Sequence, residues 1–418
     1  MVIMVPIAPL LVMLASLPRA VRVPSPPAAV NGPTYDKEIV RLFQAHCQSC
    51  HHPGDIAPFS LTGYADAKAN APKIKLMTQT HEMPPWKPSP DCGGFADAQS
   101  RTLTDGEIDL IARWIDNGAP AGNPADLPQP MDFGGGWALG TPNLEVSSPE
   151  PYTPPADRDE YRCFTMPTNL TSDAYVSAID IRPGDRAEVH HVIVFLDTLN
   201  QSQKLDEDSP GPGYTCFGGA GFDLVGTLGG WAPGARPFVL PDNVGMSLPA
   251  GSRIVLQVHY HVHSGQPTPD QTKLAVYYKD KKPEKLLTIL PLINQKFTIP
   301  PLTDNYLVKA TFPIGNTFPV ALPFATHLWM IAPHMHLLGR KMHVTATYPD
   351  GKTECLINID DWDFNWQGIY PYTKPLAFPA GTKFGAEAWY DNPTTRSVSW
   401  GEATTDEMCI AFLGFTLD

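Results

Sequence analysis

Basic charge, long apolar runs and cysteine are all scarce in this chain, and each scarcity closes off a class of function. Its 418 residues carry 30 lysines and arginines against 43 aspartates and glutamates, a formal net charge of -13. Nucleic acid needs a basic face, so no nucleic-acid partner is expected, whereas a cationic redox partner or a small molecule stays open. No block of like charge is long enough to read as a disordered tail. The apolar stretch of residues 1–20, MVIMVPIAPLLVMLASLPRA, is broken by Pro6 and Pro9 and is too short to cross a bilayer, so no stable membrane span is expected. No lysine or arginine precedes Arg19, yet the small residues around Ala20 and Ala28 give the stretch the form of an export signal. A misassigned start and a lipid-exposed anchor are the competing readings. Residues 1–30 are therefore expected to be signal peptide and spacer, and the destination periplasmic or secreted.

Cysteines number only seven. Two fall in one motif, and the other five (Cys92, Cys163, Cys216, Cys355, Cys409) form at most two bridges, leaving at least one thiol free or paired outside the chain. Sustained helical periodicity is weak beyond about residue 143, and 46 prolines with 33 glycines argue against an all-helical body. An apolar content of 43% still suffices for packed cores.

What is present begins at a helical segment, Tyr35 to Ala45, running into His46-Cys47-Gln48-Ser49-Cys50-His51. C-x-x-C-H is the attachment signature of a c-type haem, with thioethers from Cys47 and Cys50 and His51 as the proximal iron ligand. A zinc knuckle or a redox dithiol would use the same cysteines. The sixth ligand is expected from Met83 in HEMPPW, with Met77 and His81 as rivals, because a methionine–histidine pair suits an electron-transfer haem. Thr104-Asp105-Gly106-Glu107 has the form of a capping box opening a helix through Trp114, expected to close over the haem. The strings CQSCHHPG, APFSLTGY, MPPW and LTDGEIDLIARWIDNGAP resemble small c-type cytochrome domains appended to exported bacterial enzymes. The expected order is a small all-α cytochrome c domain at 34–121, a linker at 122–142, and two antiparallel β-sandwich (jelly-roll-like) domains at 143–290 and 291–418.

The sandwich expectation rests on short apolar stretches between turn residues: Ala174 to Ile181, Val189 to Leu196, Arg253 to His261 and Lys273 to Tyr278, then Tyr306 to Phe312, Thr326 to Ala332, Met342 to Tyr348, Gly385 to Tyr390 and Ile410 to Phe415. Leu286 to Pro301 looks like a hinge between them. Within these stretches the histidines cluster. His334 and His336 share one face of a strand if the run into Pro333 is extended. His190 and His191 are adjacent and so face opposite ways in a regular strand; they share a metal only at a strand end or bulge, for which the Pro183-Gly184 turn upstream provides. With His259 they make three imidazoles suited to copper or zinc. Met408 beside His334 and His336 adds a soft thioether, which favours copper cycling through its cuprous state. No cysteine thiolate stands in these motifs as an expected ligand, which argues against a blue-copper centre.

Taken together and in order, EYRCF, VHHVIVF, LQVHYH, HMHLLGRKM and DEMCIAF resemble the copper type II, ascorbate-dependent monooxygenases, the family of the dopamine and tyramine β-hydroxylases and the peptidylglycine α-hydroxylating enzyme. The resemblance implies two mononuclear, uncoupled coppers across a solvent cleft. One, held by His190, His191 and His259, gathers an electron; the other, held by His334, His336 and Met408, activates O2 and hydroxylates a substrate C–H bond. It implies O2, a small-molecule substrate and an ascorbate-like reductant or redox protein as partners. His261 and His263 are left as second-shell or surface histidines, either being the alternative to His259. Where the peptidylglycine enzyme has an arginine and a tyrosine, this chain has Ala332 and Phe412, which disfavours a C-terminal glycine peptide as substrate. Cys163 with Cys216 is a pair the family's disulfides suggest. The fused haem would supply electrons from the end of a flexible loop, Ala119 to Gly140. A non-catalytic copper-binding or electron-transfer haem/copper protein, and a structural sandwich with hydrogen-bonded histidines, are the other readings.

Overall fold

The computed structural model describes residues 32–133, 136–217, 219–222, 226–261, 266–312 and 321–418. The expected export signal and His263 lie outside the described residues. Helices gather at the start of the chain: a π-helical turn (Tyr35–Ile39) leads into α1 (Val40–His46), followed by α2 (Tyr64–Ala69), α3 (Ala71–Gln79) and α4 (Asp105–Asp116). The Thr104 hydroxyl accepts from Glu107 N while the Glu107 carboxylate accepts from Thr104 N, so α4 starts on the expected capping box. Its Ile111 and Trp114 pack with Ile39, Phe43 and Ile74 in one apolar cluster. A lone short helix, α5 (Gln201–Glu207), interrupts the strands that follow.

Beyond residue 143 the chain is β-structure. Ten strands come first: β1 (Leu144–Ser147), β2 (Glu160–Pro167), β3 (Ala174–Arg182), β4 (Val189–Asp197), β5 (Tyr214–Thr215), β6 (Gly226–Trp231), β7 (Val244–Leu248), β8 (Arg253–Tyr260), β9 (Lys273–Tyr278) and β10 (Lys285–Leu286). They form two five-stranded sheets, ordered β1-β9-β3-β7-β10 and β5-β2-β8-β4-β6. Inward residues of both sheets, among them Val176, Val194, Leu256 and Val276, share one core, which makes a sandwich.

Next come β11 (Thr288–Ile293), β12 (Thr298–Ile299), β13 (Thr303–Thr311), β14 (Thr326–His334), β15 (Gly339–Thr347), β16 (Thr353–Ile359), β17 (Tyr370–Phe378), β18 (Lys383–Asn392), β19 (Val398–Ser399) and β20 (Ile410–Leu417). Eight of these form a single sheet, β16-β15-β18-β13-β11-β20-β14-β17. The edge strands of a flat eight-stranded sheet lie roughly 30 Å apart. Here Leu356 and Ile357 of one edge and Tyr370 and Tyr372 of the other belong to the same buried cluster, so the sheet curls around its core.

Two expectations are corrected. The segment expected as a hinge holds β11, which pairs with β20 from Thr288 to Ile293. Pro291 lies within β11, and on the β13 side β11 pairs only at Ile293, so the missing N–H of Pro291 costs no ladder bond there. Nor does the helical segment hang on a flexible loop. Residues 84–101 leave the helices and strap onto the second sandwich: Cys92 is disulfide-bonded to Cys355 of β16, Ser89 N donates to Asn358 O at 2.7 Å, and Phe95 is buried with Tyr370 and Tyr372. The 119–140 loop also runs back along the helices, where Gln44 donates to Gln129 O and Phe133 stacks on His52 at 4.2 Å. The Cys163–Cys216 bridge is present, and Cys409 is a buried free thiol. No helix of the described residues is long and apolar enough to cross a membrane.

Removing the strap's covalent anchor tests its role. A Cys92→Ser, Cys355→Ser variant is expected to lose roughly 2–5 kcal/mol of stability. In limited proteolysis it should be cut first within residues 84–101, and a wild-type cleavage pattern would contradict the account.

Candidate functional site

The strands β4 and β8 are neighbours, and their register slips between Val189 and His191. His190 is the residue left over, so this bulge turns both adjacent histidines to one side, while His191 stands opposite His259. One nitrogen from each of His190, His191 and His259 lies within 4.8 Å of the others. The remaining nitrogens of His190 and His259 are occupied. His190 Nε2 donates to Phe364 O at 3.2 Å and His259 Nε2 donates to Asp159 Oδ2 at 3.4 Å. A carbonyl only accepts, so His190 presents Nδ1 as a lone pair, 3.1 Å from His191 Nδ1. His259 Nδ1 is buried with no protein partner, and its ring is stacked on Tyr161 at 4.1 Å. Burial opposes Asp159 ionisation, but hydrogen bonds from His259, His261 and Thr404 outweigh it and hold the carboxyl well below the usual carboxylate range. His261 Nδ1 donates to Asp159 at 2.6 Å, which raises its pKa.

The second set sits at the end of β14. That strand stops at His334, and His336 follows just beyond it, with ring centroids 5.2 Å apart and nearly perpendicular. His334 Nδ1 donates to Gln367 Oε1, and His336 Nδ1 donates to Asp406 O at 3.2 Å. His336 Nε2 is buried with no protein partner. The two sets thus leave opposite nitrogens available: Nδ1 of His190 and His259, Nε2 of His334 and His336. Met408 is buried nearby, its backbone tied to that of His336 by one carboxylate, since Glu407 Oε2 accepts from His336 N at 2.9 Å and from Met408 N at 3.1 Å. Glu407 Oε1 takes Leu338 N at 2.6 Å. Burial pushes the Glu407 carboxyl up to about 7 against these backbone donors.

The resemblance implied a solvent cleft between the two sets, yet the rings of His191 and His334 are 5.8 Å apart. Burial lowers His334 to about 4 and His336 to about 3, and lowers His190 and His191 well below the usual imidazole range, and neighbouring imidazoles add to the effect in all four. Neutral imidazoles with unpartnered, buried nitrogens are unfavourable unless something fills them. A borderline cation such as copper or zinc does so.

Cys47, Cys50 and His51 border a cavity of about 420 Å³ together with Met77 and Met83. Both cysteines are free thiols, and His51 Nδ1 donates to Phe59 O at 3.0 Å, leaving Nε2 as the available nitrogen. Two free thiols and an available imidazole nitrogen at one cavity are a donor set that would suit a covalently attached haem. Helix α4 was expected to close this space. The opposite wall is instead Arg186, Ala187, Val189 and His190 from the first sandwich, His261, and Asn365 and Trp366 from the β16–β17 loop. His46 also lines the cavity and pairs with Glu107 at 3.4 Å, and His81 is exposed with a positive φ of 57°.

Sequence reasoning missed Asp159, which holds His259 and His261, and Phe364, Gln367, Asp406 and Glu407, each of which holds one histidine. Only Glu407 carried a signal, being adjacent to Met408. Gln367 and Phe364 lie in a loop whose role depends on where the second sandwich docks.

Residues 285–416 match the family model described as copper type II ascorbate-dependent monooxygenase, C-terminal domain. The human DBH-like monooxygenase protein 1 is 23% identical over 252 residues, 56% of this chain and 40% of that protein. Dog dopamine beta-hydroxylase is 23% identical over 256 residues, 56% of this chain and 39% of its own length. Peptidyl-glycine alpha-amidating monooxygenase A of Xenopus laevis is 26% identical over 275 residues, 64% of this chain and 27% of its own length. The chain spans less than half the length of these relatives, and it is similar to copper-dependent monooxygenases.

The buried histidines predict acid lability of the metal-free protein. Their folded pKa values lie below the unfolded value near ~6.5, so the unfolded state binds more protons and stability is lost as pH falls from about 6.5 towards 4. Glu407, raised to about 7, contributes the opposite slope, so Glu407→Gln should steepen the acid loss. Thermal midpoints of both proteins between pH 7 and 4 check this, and cupric ion at pH 7 should raise the midpoint of each. A flat profile would contradict it.

Proposed function

We propose that the chain is a copper-dependent monooxygenase that hydroxylates a C–H bond of a small organic substrate with O2. The observation that carries this reading is the match of residues 285–416, which contain His334, His336 and Met408, to the copper monooxygenase model. The unpartnered nitrogens of His259 and His336 support it. In this reading His190, His191 and His259 hold one copper, which receives electrons, and His334, His336 and Met408 hold the other. Copper at the second set supplies one-electron chemistry with O2. Cys47 and Cys50 would attach a haem c, His51 and Met83 would hold its iron, and the group would supply one-electron relay from an ascorbate-like reductant or a redox protein.

The chain's own residues then orient and protect. Gln367 and Asp406 fix the His334 and His336 tautomers, Asp159 fixes that of His259, and Glu407 sets the spacing of His336 and Met408. Ala332 and Phe412 are cross-strand partners, two register pairs from His334 and so on its face of the sheet. They offer an apolar wall where a peptide carboxylate would need a basic group, which supports a substrate other than a C-terminal glycine peptide. The Cys92–Cys355 and Cys163–Cys216 bridges fit maturation in an oxidising compartment, consistent with export to the periplasm or beyond.

A second reading, a non-catalytic copper-binding or electron-transfer haem/copper protein, is favoured by the 5.8 Å approach of His191 to His334, which leaves little room between the sets. Metal analysis and O2 uptake separate the two. Two coppers and one haem per chain, with both cupric spins visible and reductant-driven O2 consumption, support the monooxygenase. Met408→Ala should then keep the haem and the all-histidine copper while uptake falls roughly 10- to 100-fold. Full metal loading with no O2 uptake under any reductant would favour the second reading.

A further inference from the structure

We propose that the helical segment is a rigidly docked electron donor and that electrons reach the copper centre through His190. This rests on the haem and copper reading above and adds the route. The His190 imidazole belongs to two places at once. It lines the cavity bordered by Cys47, Cys50 and His51, and its Nδ1 lies 3.1 Å from His191 Nδ1 within the histidine trio. The ring is held there by stacking on Phe364 at 4.3 Å and by the hydrogen bond from Nε2 to Phe364 O. His334, His336 and Met408 do not line the cavity. An electron leaving a group in that cavity therefore meets the first trio before the second, and the 5.8 Å between the His191 and His334 rings is the onward step.

Two features hold the donor in place. Arg186, in the turn that precedes the β4 bulge, is ion-paired with Asp55, which also pairs with His52 at 3.1 Å, next to the haem-attachment motif. The turn that aims His190 is thus tied directly to the loop that follows His51. On the far side, the Cys92–Cys355 bridge and Phe95 bind the strap to the second sandwich. A mobile tether would have to search for its acceptor, whereas this donor is already against it.

The step balances as a single electron. Ferrous haem becomes ferric while a cupric ion in the trio becomes cuprous, no bond or proton changes hands, and an external one-electron donor of the ascorbate class re-reduces the haem. Flash photoreduction of the haem in oxygen-free, full-length protein loaded with cupric ion follows this step optically. The haem should reoxidise in a first-order process, independent of protein concentration, whose rate constant changes by less than about twofold when sucrose raises the viscosity about fivefold. A rate falling in proportion to viscosity would overturn docking. His336→Ala protein, freed of the second copper but with the first retained, should reoxidise its haem within about threefold of the wild-type rate. Loss of reoxidation in that variant would move the point of arrival away from His190. Absence of reoxidation in wild-type protein with full haem and copper content would overturn the route alone, since ascorbate-driven O2 uptake on the same sample reports separately on the monooxygenase reading.

Discussion

The pairing of β4 with β8 slips by one residue at His190, and the chemistry of the molecule depends on that slip. In a regular ladder, side chains alternate between faces, so adjacent histidines cannot meet one partner. The extra residue lets His190 and His191 converge on His259 across the strand pair. The cause lies upstream, in the Pro183-Gly184 turn and in Asp185, whose backbone N–H, with that of Gly184, is fixed by the buried Asp270 carboxylate. Asp270 also accepts from Tyr260 and Thr272, so the end of β8 and the turn before β4 share one anchor. The bulge is therefore imposed from both strands.

Burial then sets the electrostatics. Several imidazoles packed together cannot all carry charge, and desolvation keeps them neutral, which is the state that binds a metal. What distinguishes the sets is the acceptor on each ring's other nitrogen. Carbonyl or carboxylate oxygens sit on Nε2 of His190 and His259 but on Nδ1 of His334 and His336. Those acceptors come from the 159, 364–367 and 406 loops, which makes loop docking, more than strand geometry, responsible for how the rings present themselves.

This division explains what was legible beforehand. The C-x-x-C-H run, the paired histidines and the capping box are local patterns whose geometry follows from spacing, and the strands appeared within a few residues of their expected ends. That His190 and His191 could meet only at a strand end or a bulge was also legible, because the period of two forbids it within a regular strand. The strap was not. Cys92 and Cys355 are 263 residues apart, and nothing in the PSPDCGGF string signals which sheet edge it will meet. Likewise Leu286 to Pro301 read as a hinge, because whether a proline such as Pro291 is tolerated in a strand depends on which neighbour its backbone faces, a tertiary fact. The 119–140 loop has a linker's composition, but the chain's path was decided earlier, at residues 84–101.

The docking of the helical segment changes how its fusion to the sandwiches is to be understood. For a tethered donor, linker length sets the effective concentration, and the bound geometry is sampled transiently. Here the cavity beside Cys47, Cys50 and His51 has no complete wall of its own: Arg186, His190 and Trp366 supply the side that helices α1 to α4 leave open. The helical segment therefore depends on the sandwiches to enclose its own site, and His190 is positioned in part by the loop that encloses it. A wall that is also a candidate copper ligand couples the two sites mechanically, because any movement of the Phe364 loop that opens the cavity also releases the Nε2 of His190. Fixing the ring by a backbone carbonyl, which cannot change rotamer, makes that coupling stiffer than a side-chain acceptor would.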